Sequence, residues 1–311
     1  MNPAGIAEFV AASLGDGWDV TGAASPDDDL TALEHADAIL VALVDVTATA
    51  IEKAAHLAMI QTPSHGFDHV DIDAAAGRGI PVCNVGTSGA ESGTVAEHAM
   101  MLILACARRL VDANDGIRDG GWPALSGSTI ELQGKTLGIV GLGHIGREVA
   151  KRAKAFGMEL LYNDPVPADE DVEAELRLKP VTLAELMSTS DVVTVHVPLD
   201  DTTRALIGAR EIGLLRPGAI FVNTSRGPVV DNAALAAAAN EGRITAGVDV
   251  YETEPPPTDH PLRSASNVVL TPHIAGTTRE SVVRIMAAAL DNLGRFGRGE
   301  KIKDIVNGIV P

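Results

Sequence analysis

Short β-branched runs alternate with Ala-rich stretches through most of the chain, which is the pattern of βαβ units around a parallel sheet. In the first hundred residues three runs predict strands, "AILVALV" (38–44), "AMIQ" (58–61) and "IPVCNV" (80–85). From residue 135 six further runs do so: "KTLGIVGLG", "MELLYND", "DVVTVHVPL", "AIFVNTSRG", "ITAGVDVY" and "NVVLTPH". The predicted fold class is therefore α/β with parallel sheets.

Helices are predicted between these strands. A long apolar helix is expected from about Ser92 to Asp112, followed by a polar, Gly-rich crossing between domains, "NDGIRDGGWP". Asp231 is placed as the N-cap of the helix in "NAALAAAANEG", with Gly242 as its C′ residue. After His273 one amphipathic helix, "ESVVRIMAAALDNLGRF", leads to an extended tail.

Length and charge limit the classes of function. A chain of 311 residues exceeds what one hydrophobic core usually supports, so two domains are expected. The 42 acidic and 24 basic side chains give a net charge of -18, which repels nucleic acid and anionic lipid. Neither is expected as a partner. An anionic substrate could still bind where an Arg or several backbone N–H groups reverse the local field.

The two cysteines, Cys83 and Cys106, lie in apolar segments without paired spacing, as expected of buried, reduced thiols. The N-terminal segment has no basic region of the kind that begins a secretory signal. The most hydrophobic stretch, "TVAEHAMMLILACARRL", is interrupted by polar and charged residues, which favours a buried helix over a membrane span. A cytoplasmic protein is the expectation.

The most informative segment joins a strand to a helix through G-x-G-x-x-G, formed by Gly141, Gly143 and Gly146. The first glycine permits a tight turn, the second lets the backbone approach a pyrophosphate, and the third allows close packing of helix on strand. The pyrophosphate would lie at the helix N-terminus, beside His144 and Ile145. Asp164, at the end of the next strand, can accept both ribose hydroxyls of NAD and would repel the 2′-phosphate of NADP. NAD is the expected cofactor.

Candidate chemistry follows the later strands. Hydride transfer to a 2-keto acid requires a cation for the carboxylate or carbonyl, a proton donor, and a group that keeps this donor charged. Arg226 follows one strand, Asp249 and Glu254 the next, and His273 the last. In a doubly wound sheet these strand ends open on the same edge, beside the cofactor.

At these residues the sequence resembles the D-isomer-specific 2-hydroxyacid dehydrogenases. The similarity includes "GIVGLGHIGREVAKRAKAFGM", "VHVPLDDTT", "LLRPGAIFVNTSRGPVVD", "GVDVYETEPPP" and "LTPHIAGTT". It implies that Arg226 orients the substrate, that Glu254 pairs with His273, and that His273 gives the proton. It also implies that the backbone N–H groups of His65 and Gly66 bind the substrate carboxylate. Residues of the same motifs complete the expected cofactor site: His196, Pro198, Thr224, Ser225, Asp249 and Gly276.

The resemblance also implies an architecture of two Rossmann-like domains with the site in the cleft between them. A discontinuous, flavodoxin-like substrate-binding domain is expected from residues 1–98 plus 283–311, and an NAD-binding domain from 99–282. A homodimer is implied as well, with the apolar helix of Met100–Leu110 and its following loop at the interface.

Structural interpretations remain open beside the functional ones. His273 could be a strand-end histidine satisfied by backbone, Arg226 a structural ion-pair partner, and Asp249 an acid that only holds a loop. His65 and His69 are spaced like metal ligands, but no zinc motif accompanies them, so no metal is expected. Glu97 and His98 are expected in a helix, where they make interdomain hydrogen bonds.

Two features depart from the family pattern. Relatives usually begin with a strand, whereas this sequence begins in a helical segment. The first domain is therefore expected to lack an edge strand, or the given start is expected to lie downstream of the true one. Phosphoglycerate dehydrogenases often carry an Arg where this chain has Ala42, Leu43 and Val44, and a C-terminal extension is not expected here. A phosphorylated substrate is therefore disfavoured.

Formate dehydrogenases carry Gln at the position of Glu254, so Glu254 favours a 2-keto acid such as glyoxylate, hydroxypyruvate or pyruvate. The alternatives are a phosphoglycerate dehydrogenase and a non-catalytic NAD-sensing protein that resembles transcriptional corepressors.

Overall fold

The structure is a computed structural model that describes residues 3–23, 33–41, 44–125 and 127–309. The chain divides into two compact units, Met1–Glu91 with Thr278–Pro311, and Ser92–Thr277. These boundaries lie a few residues before those expected at 98 and 282. A continuous helix starts at Ser92, and Thr278 is the N-cap of the last helix, so each boundary falls at a helix start.

The first unit contains a small parallel sheet whose strand order is β1-β2-β3. Its tail returns to the sheet, because Ile305 forms an antiparallel bridge with Cys83. Of the residues discussed above, Ala42 and Leu43 lie outside the described part of the chain. The elements of this unit are α1 (Pro3–Leu14), β1 (Ala38–Leu40), α2 (Ala48–Lys53), β2 (Met59–Gln61), α3 (Ile72–Gly77), β3 (Val82–Cys83) and, after the second unit, α11 (Arg279–Gly297).

The second unit contains a parallel sheet of seven strands in the order β10-β9-β8-β7-β4-β5-β6. The order reverses between β4 and β7, which is where a doubly wound sheet binds its ligand. The elements are α4 (Ser92–Ala107), α5 (Leu110–Arg118), β4 (Thr136–Val140), α6 (His144–Ala155), β5 (Glu159–Asn163), α7 (Glu170–Leu176), β6 (Leu178–Pro180), α8 (Leu183–Thr189), β7 (Val192–Val195), α9 (Ala209–Leu214), β8 (Ala219–Asn223), α10 (Asn232–Asn240), β9 (Ile244–Val248) and β10 (Val268–Leu270).

Alternation along the strands explains why this sheet is covered on both faces. In β4, Leu137 and Ile139 pack into a core with α4 and α6, whereas Val140 packs into a second core with Leu186 and Val195. Strands that bury both faces are apolar throughout, as the sequence predicted. The α/β fold with parallel sheets is confirmed.

The prediction from the sequence was wrong about the end of one helix and missed one strand. The helix expected from Ser92 to Asp112 ends at Ala107, because Arg109 adopts a left-handed backbone (φ 49°). A separate helix, α5, then begins at Leu110 and extends to Arg118, into the expected crossing segment. The missed strand is β6, which has three residues, carries Lys179 and ends at Pro180 at the edge of the sheet. An edge strand this short and polar has no hydrophobic pattern from which it could be predicted.

The expected caps of α10 are confirmed. The Asp231 side chain accepts a hydrogen bond from Ala234 N at 2.9 Å, and Gly242 follows the C-cap with φ 68°.

Candidate active site

The glycine loop connects β4 to α6. Backbone carbonyl groups leave no room for a side chain at two of its three glycines, and the third faces open space. A Cβ on Gly141 would lie 2.5 Å from the carbonyl oxygen of His196, and one on Gly146 would lie 2.2 Å from that of Gly141. A Cβ on Gly143, in contrast, would meet no protein atom within 4 Å. The loop therefore leaves open space at the N-terminus of α6, where His144 begins the helix and backbone N–H groups favour an anion.

Asp164 follows β5 and is tied to this loop. Its Oδ2 accepts from the backbone N–H of Leu142 at 2.7 Å, and its Oδ1 accepts from that of Val166 at 2.9 Å. The carboxylate thus lies directly beside the glycine loop, as the spacing along the sequence predicted.

His196 is a buried, neutral imidazole at the end of β7. Its ring contacts two hydroxyls, with Nε2 2.8 Å from Oγ1 of Thr194 and Nδ1 3.4 Å from Oγ1 of Thr224. Desolvation lowers its pKa from 6.5 to about 3. His196 is therefore uncharged near neutral pH.

The segments that follow β8, β9 and β10 carry the candidate catalytic residues. These strands are adjacent and parallel, so Arg226, Asp249 and His273 follow strand ends at the same edge of the sheet. Glu254 lies in the segment after β9. The juxtaposition expected from the order of motifs is present in the second unit.

His273 and Glu254 form a close pair, with Nδ1 of the imidazole 2.5 Å from Oε2 of the carboxylate. About a third of each side chain is exposed, 32% and 33%. Glu254 also accepts from the backbone N–H of Tyr251 at 2.9 Å. Partial burial alone would raise the pKa of Glu254, but the hydrogen bonds from His273 and Tyr251 and the charges of His273 and Arg226 lower it overall. The ionised carboxylate is the favoured state.

Arg226 is held by its own backbone neighbours. Its Nη1 donates to the carbonyl of Ser225 at 2.8 Å, and the side chain of Asn223 donates to the carbonyl of Arg226 at 3.1 Å. Asn223 also accepts from both the N–H and the hydroxyl of Ser225. Because Asn223 is fully buried, this network fixes the turn that carries the guanidinium.

The turn that carries His273 depends on Asp249, which has no exposed surface. Its carboxylate accepts from Oγ1 of Thr271 at 2.5 Å and from the backbone N–H groups of Ile274 and Ala275 at 3.0 and 2.9 Å. His273 itself has a left-handed backbone (φ 53°), a strained conformation for a residue with a Cβ. In this structure, Asp249 therefore holds the loop of His273. Its expected place in the cofactor site stays a prediction.

His98 belongs to this network, which the sequence did not indicate. Its Nε2 lies 3.0 Å from Oγ1 of Thr271 and 3.4 Å from Oδ1 of Asp249. Burial by itself would raise the pKa of Asp249, yet the bonds from His98, Thr271 and the two N–H groups lower it. Because the second unit begins at Ser92 and not after residue 98, His98 lies in the same unit as these partners, and its hydrogen bonds are not interdomain as expected.

The remaining predicted residues are placed as follows. His65 and Gly66 lie in the first unit, in the loop after β2, where the backbone N–H of His65 donates to Oε1 of Glu91 at 2.9 Å. Pro198 is exposed after β7 and its carbonyl accepts from Thr203 Oγ1 at 2.7 Å. Ile145 and Gly276 are half-buried.

Among the described residues, no group of three or more His, Cys, Asp and Glu side chains could hold a metal ion. None of the helices in the described ranges has the length and apolar character needed to cross a bilayer.

Comparison with known proteins places the chain in a family. Residues 100–275 match the family model described as D-isomer specific 2-hydroxyacid dehydrogenase, NAD binding domain. A glyoxylate reductase from Aeropyrum pernix is 40% identical over 287 residues, which are 89% of this chain and 85% of that one. A D-3-phosphoglycerate dehydrogenase from Archaeoglobus fulgidus is 41% identical, but the matched region covers 84% of this chain and only 49% of that relative. The solved D-mandelate dehydrogenase of Rhodotorula graminis has a TM-score of 0.89 at 29% identity and covers 99% of this chain and 96% of its own.

We expect the free energy of unfolding to fall as the pH drops from 7 to 5, because His196 can take up a proton only when the chain unfolds. Its folded pKa of about 3 lies below the ordinary 6.5, so the unfolded state binds the additional proton in this range. This group accounts for up to about 2 kcal/mol at pH 5. In urea unfolding, H196Q loses that part of the pH dependence, whereas H56Q, which changes an exposed histidine, retains it. Equal pH dependence in H196Q and the wild type would contradict the buried neutral state.

We expect Asp249→Asn to lower the free energy of unfolding by about 2 kcal/mol, because the amide NH₂ leaves one buried N–H of the turn without an acceptor. The rate of NADH oxidation should fall as well, since the turn holds His273. Urea unfolding and kcat measure the two effects. Asp259→Asn, an exposed carboxyl in the same unit, is the control that should show neither. Unchanged stability of D249N would mean that the carboxylate does not hold the turn.

Proposed function

The chain belongs to the D-isomer-specific 2-hydroxyacid dehydrogenases, and from this premise we propose that it reduces a small, unbranched 2-keto acid with NADH. As a member of this family it is an NAD-dependent oxidoreductase that interconverts 2-keto and D-2-hydroxy acids. The observation that carries the proposed mechanism is the 2.5 Å contact between His273 and Glu254. It places a candidate proton donor at hydrogen-bond distance from a carboxylate.

The roles of the three residues follow from their chemistry. NADH, when bound, supplies the hydride for the keto carbon. The Nδ1 of His273 is engaged with Glu254, so the proton for the carbonyl oxygen comes from Nε2. Arg226 has the planar guanidinium that suits a carboxylate, and it adds positive charge to a chain whose net charge is -18. In the first unit, we assign the N–H groups of His65 and Gly66 to the substrate carboxylate.

The nucleotide site accommodates NAD. Open space over Gly143 at the N-terminus of α6 suits a pyrophosphate, because a side chain there would fill it. The carboxylate of Asp164 beside the glycine loop suits ribose hydroxyls and disfavours an added phosphate. We assign His144, Ile145, Pro198, Ser225 and Gly276 to the walls of this site.

Glyoxylate is the substrate that we favour, because glyoxylate reductases from three organisms match this chain at 40% to 42% identity. Hydroxypyruvate and pyruvate have the same charge and similar size. A second candidate, phosphoglycerate dehydrogenase, is favoured by the relatives of that name at 38% to 41% identity. The third, a non-catalytic NAD sensor, would bind NADH tightly and reduce none of these acids.

We also propose that the chain forms a homodimer through α4, α5 and the segment that follows. Large apolar side chains lie exposed along this region: Met101 (40%), Leu110 (56%), Val111 (45%), Ile117 (52%) and Trp122 (89%). An apolar face this extended favours burial against a second copy over permanent contact with water.

A cytoplasmic location is the accompanying proposal. Cys83 and Cys106 are buried and unpaired, and desolvation raises the pKa of each thiol to about 12. Buried protonated thiols suit a reducing compartment.

We expect the wild-type chain to oxidise NADH with glyoxylate, hydroxypyruvate or pyruvate, and H273A to lose at least about 100-fold in kcat, because a general acid contributes an effect of that order. NADH affinity, measured by fluorescence, should remain nearly unchanged. Glu254→Gln keeps the shape of the partner but not its charge, so its kcat should lie between those of the wild type and H273A.

The same panel of substrates decides between the candidates. Higher kcat/KM with 3-phosphohydroxypyruvate than with glyoxylate would establish the phosphoglycerate reaction instead. Tight NADH binding without turnover of any acid would indicate the sensor, and undiminished turnover by H273A would exclude this histidine as the acid.

We expect light scattering to give twice the chain mass of 32.2 kDa for the wild type. Leu110→Asp places a charge on the apolar face and should shift the protein to the monomer, whereas Ile6→Asp, which changes an exposed side chain of α1, should not. A monomeric wild type would refute the dimer.

A further inference from the structure

In the loop of residues 62–67 of the first unit, the backbone N–H and the ring Nδ1 of His65 both contact one oxygen atom of Glu91. The backbone N–H of His65 donates to Oε1 of Glu91 at 2.9 Å, and the ring Nδ1 lies 2.6 Å from the same oxygen. Because a carboxylate oxygen only accepts, Nδ1 carries the hydrogen. The two donors form a small anion-binding site, and the side chain of Glu91, only 13% exposed, occupies it.

The conformation of the 62–67 loop is also held by bonds that do not involve Glu91. The Asn84 side chain donates to the carbonyl of His65 at 2.9 Å, and the Ser64 hydroxyl donates to the carbonyl of Gly66 at 2.7 Å. The backbone N–H of Val85 donates to the carbonyl of Ser64 at 3.2 Å. The His65 donors therefore keep their place when Glu91 moves away.

The proposed function assigns the same His65 N–H to the carboxylate of the 2-keto acid. One N–H does not serve two carboxylates well, and two like charges at hydrogen-bond distance repel each other. We infer that Glu91 is an internal carboxylate that competes with the substrate for the anion site at His65 and so sets the affinity for 2-keto acids. This inference rests on the proposed function. Only ligands whose carboxylate displaces Glu91 bind fully, so Glu91 raises the KM for every 2-keto acid.

The test is Glu91→Ala, with the KM for glyoxylate and the Kd of oxamate measured in the presence of NADH. Both constants should fall about tenfold, the order expected when one charge-assisted hydrogen bond no longer has to be displaced. Glu91→Gln keeps an acceptor without the charge and should give a smaller decrease. Methylglyoxal, a carbonyl substrate without a carboxylate, should show no decrease in KM. Glu52→Gln, an exposed carboxyl of the same unit, is the matched control.

A rise in the KM for glyoxylate in E91A, or an equal fall for methylglyoxal, would overturn the inference, because Glu91 would then shape the loop and not compete. Absence of keto-acid turnover in the wild type would instead refute the proposed function. The competition is read separately from the ¹⁵N amide signal of His65 during an oxamate titration. E91A should respond at lower concentration than the wild type, and an identical response would overturn the inference by itself.

Discussion

The candidate catalytic centre depends on the buried carboxylate of Asp249. A charge without exposed surface is strongly unfavourable unless donors surround it, and here Thr271, two backbone N–H groups and His98 do so. Two of those donors belong to the residues directly after His273. The buried carboxylate therefore fixes the turn in which His273 has its left-handed backbone. The N–H groups of the same turn satisfy the carboxylate.

Two of the imidazole–carboxylate pairs in the described part of the chain, His273–Glu254 and His65–Glu91, differ in their surroundings, and these set their different roles. His273 and Glu254 are each about a third exposed, so the pair can meet a substrate and exchange a proton with it. In the other pair Glu91 is largely buried, and its oxygen accepts both from the ring and from the backbone of His65. The first pair suits acid chemistry. In the second pair the carboxylate can compete with an anionic ligand for the donors of His65. The acidic surface makes such local control of negative charge important, since the field of the whole chain repels the substrate.

Much of the fold and of the site could be predicted from local patterns. β-branched runs predicted the strands of the large sheet except β6, and the glycine spacing with Asp164 predicted the nucleotide loop. The order of Arg226, Glu254 and His273 after successive strands predicted one shared edge, because parallel strands end on the same side. The break at Arg109 was not predictable, because arginine is a good helix former and neither Gly nor Pro marks the end of the helix. The edge strand β6 was missed because it is too short and polar to show a hydrophobic pattern.

The sequence by itself determined the class of fold and the family, and it supplied the prediction of which residues carry the chemistry, because these depend on periodicity and on motifs contiguous along the chain. Only the tertiary structure decided which partners surround each charge. His98 contacts Asp249, which lies 151 positions later in the chain, and Glu91 contacts His65 from a separate segment. Such contacts are set by how helices pack on strands, and no local pattern of residues records them.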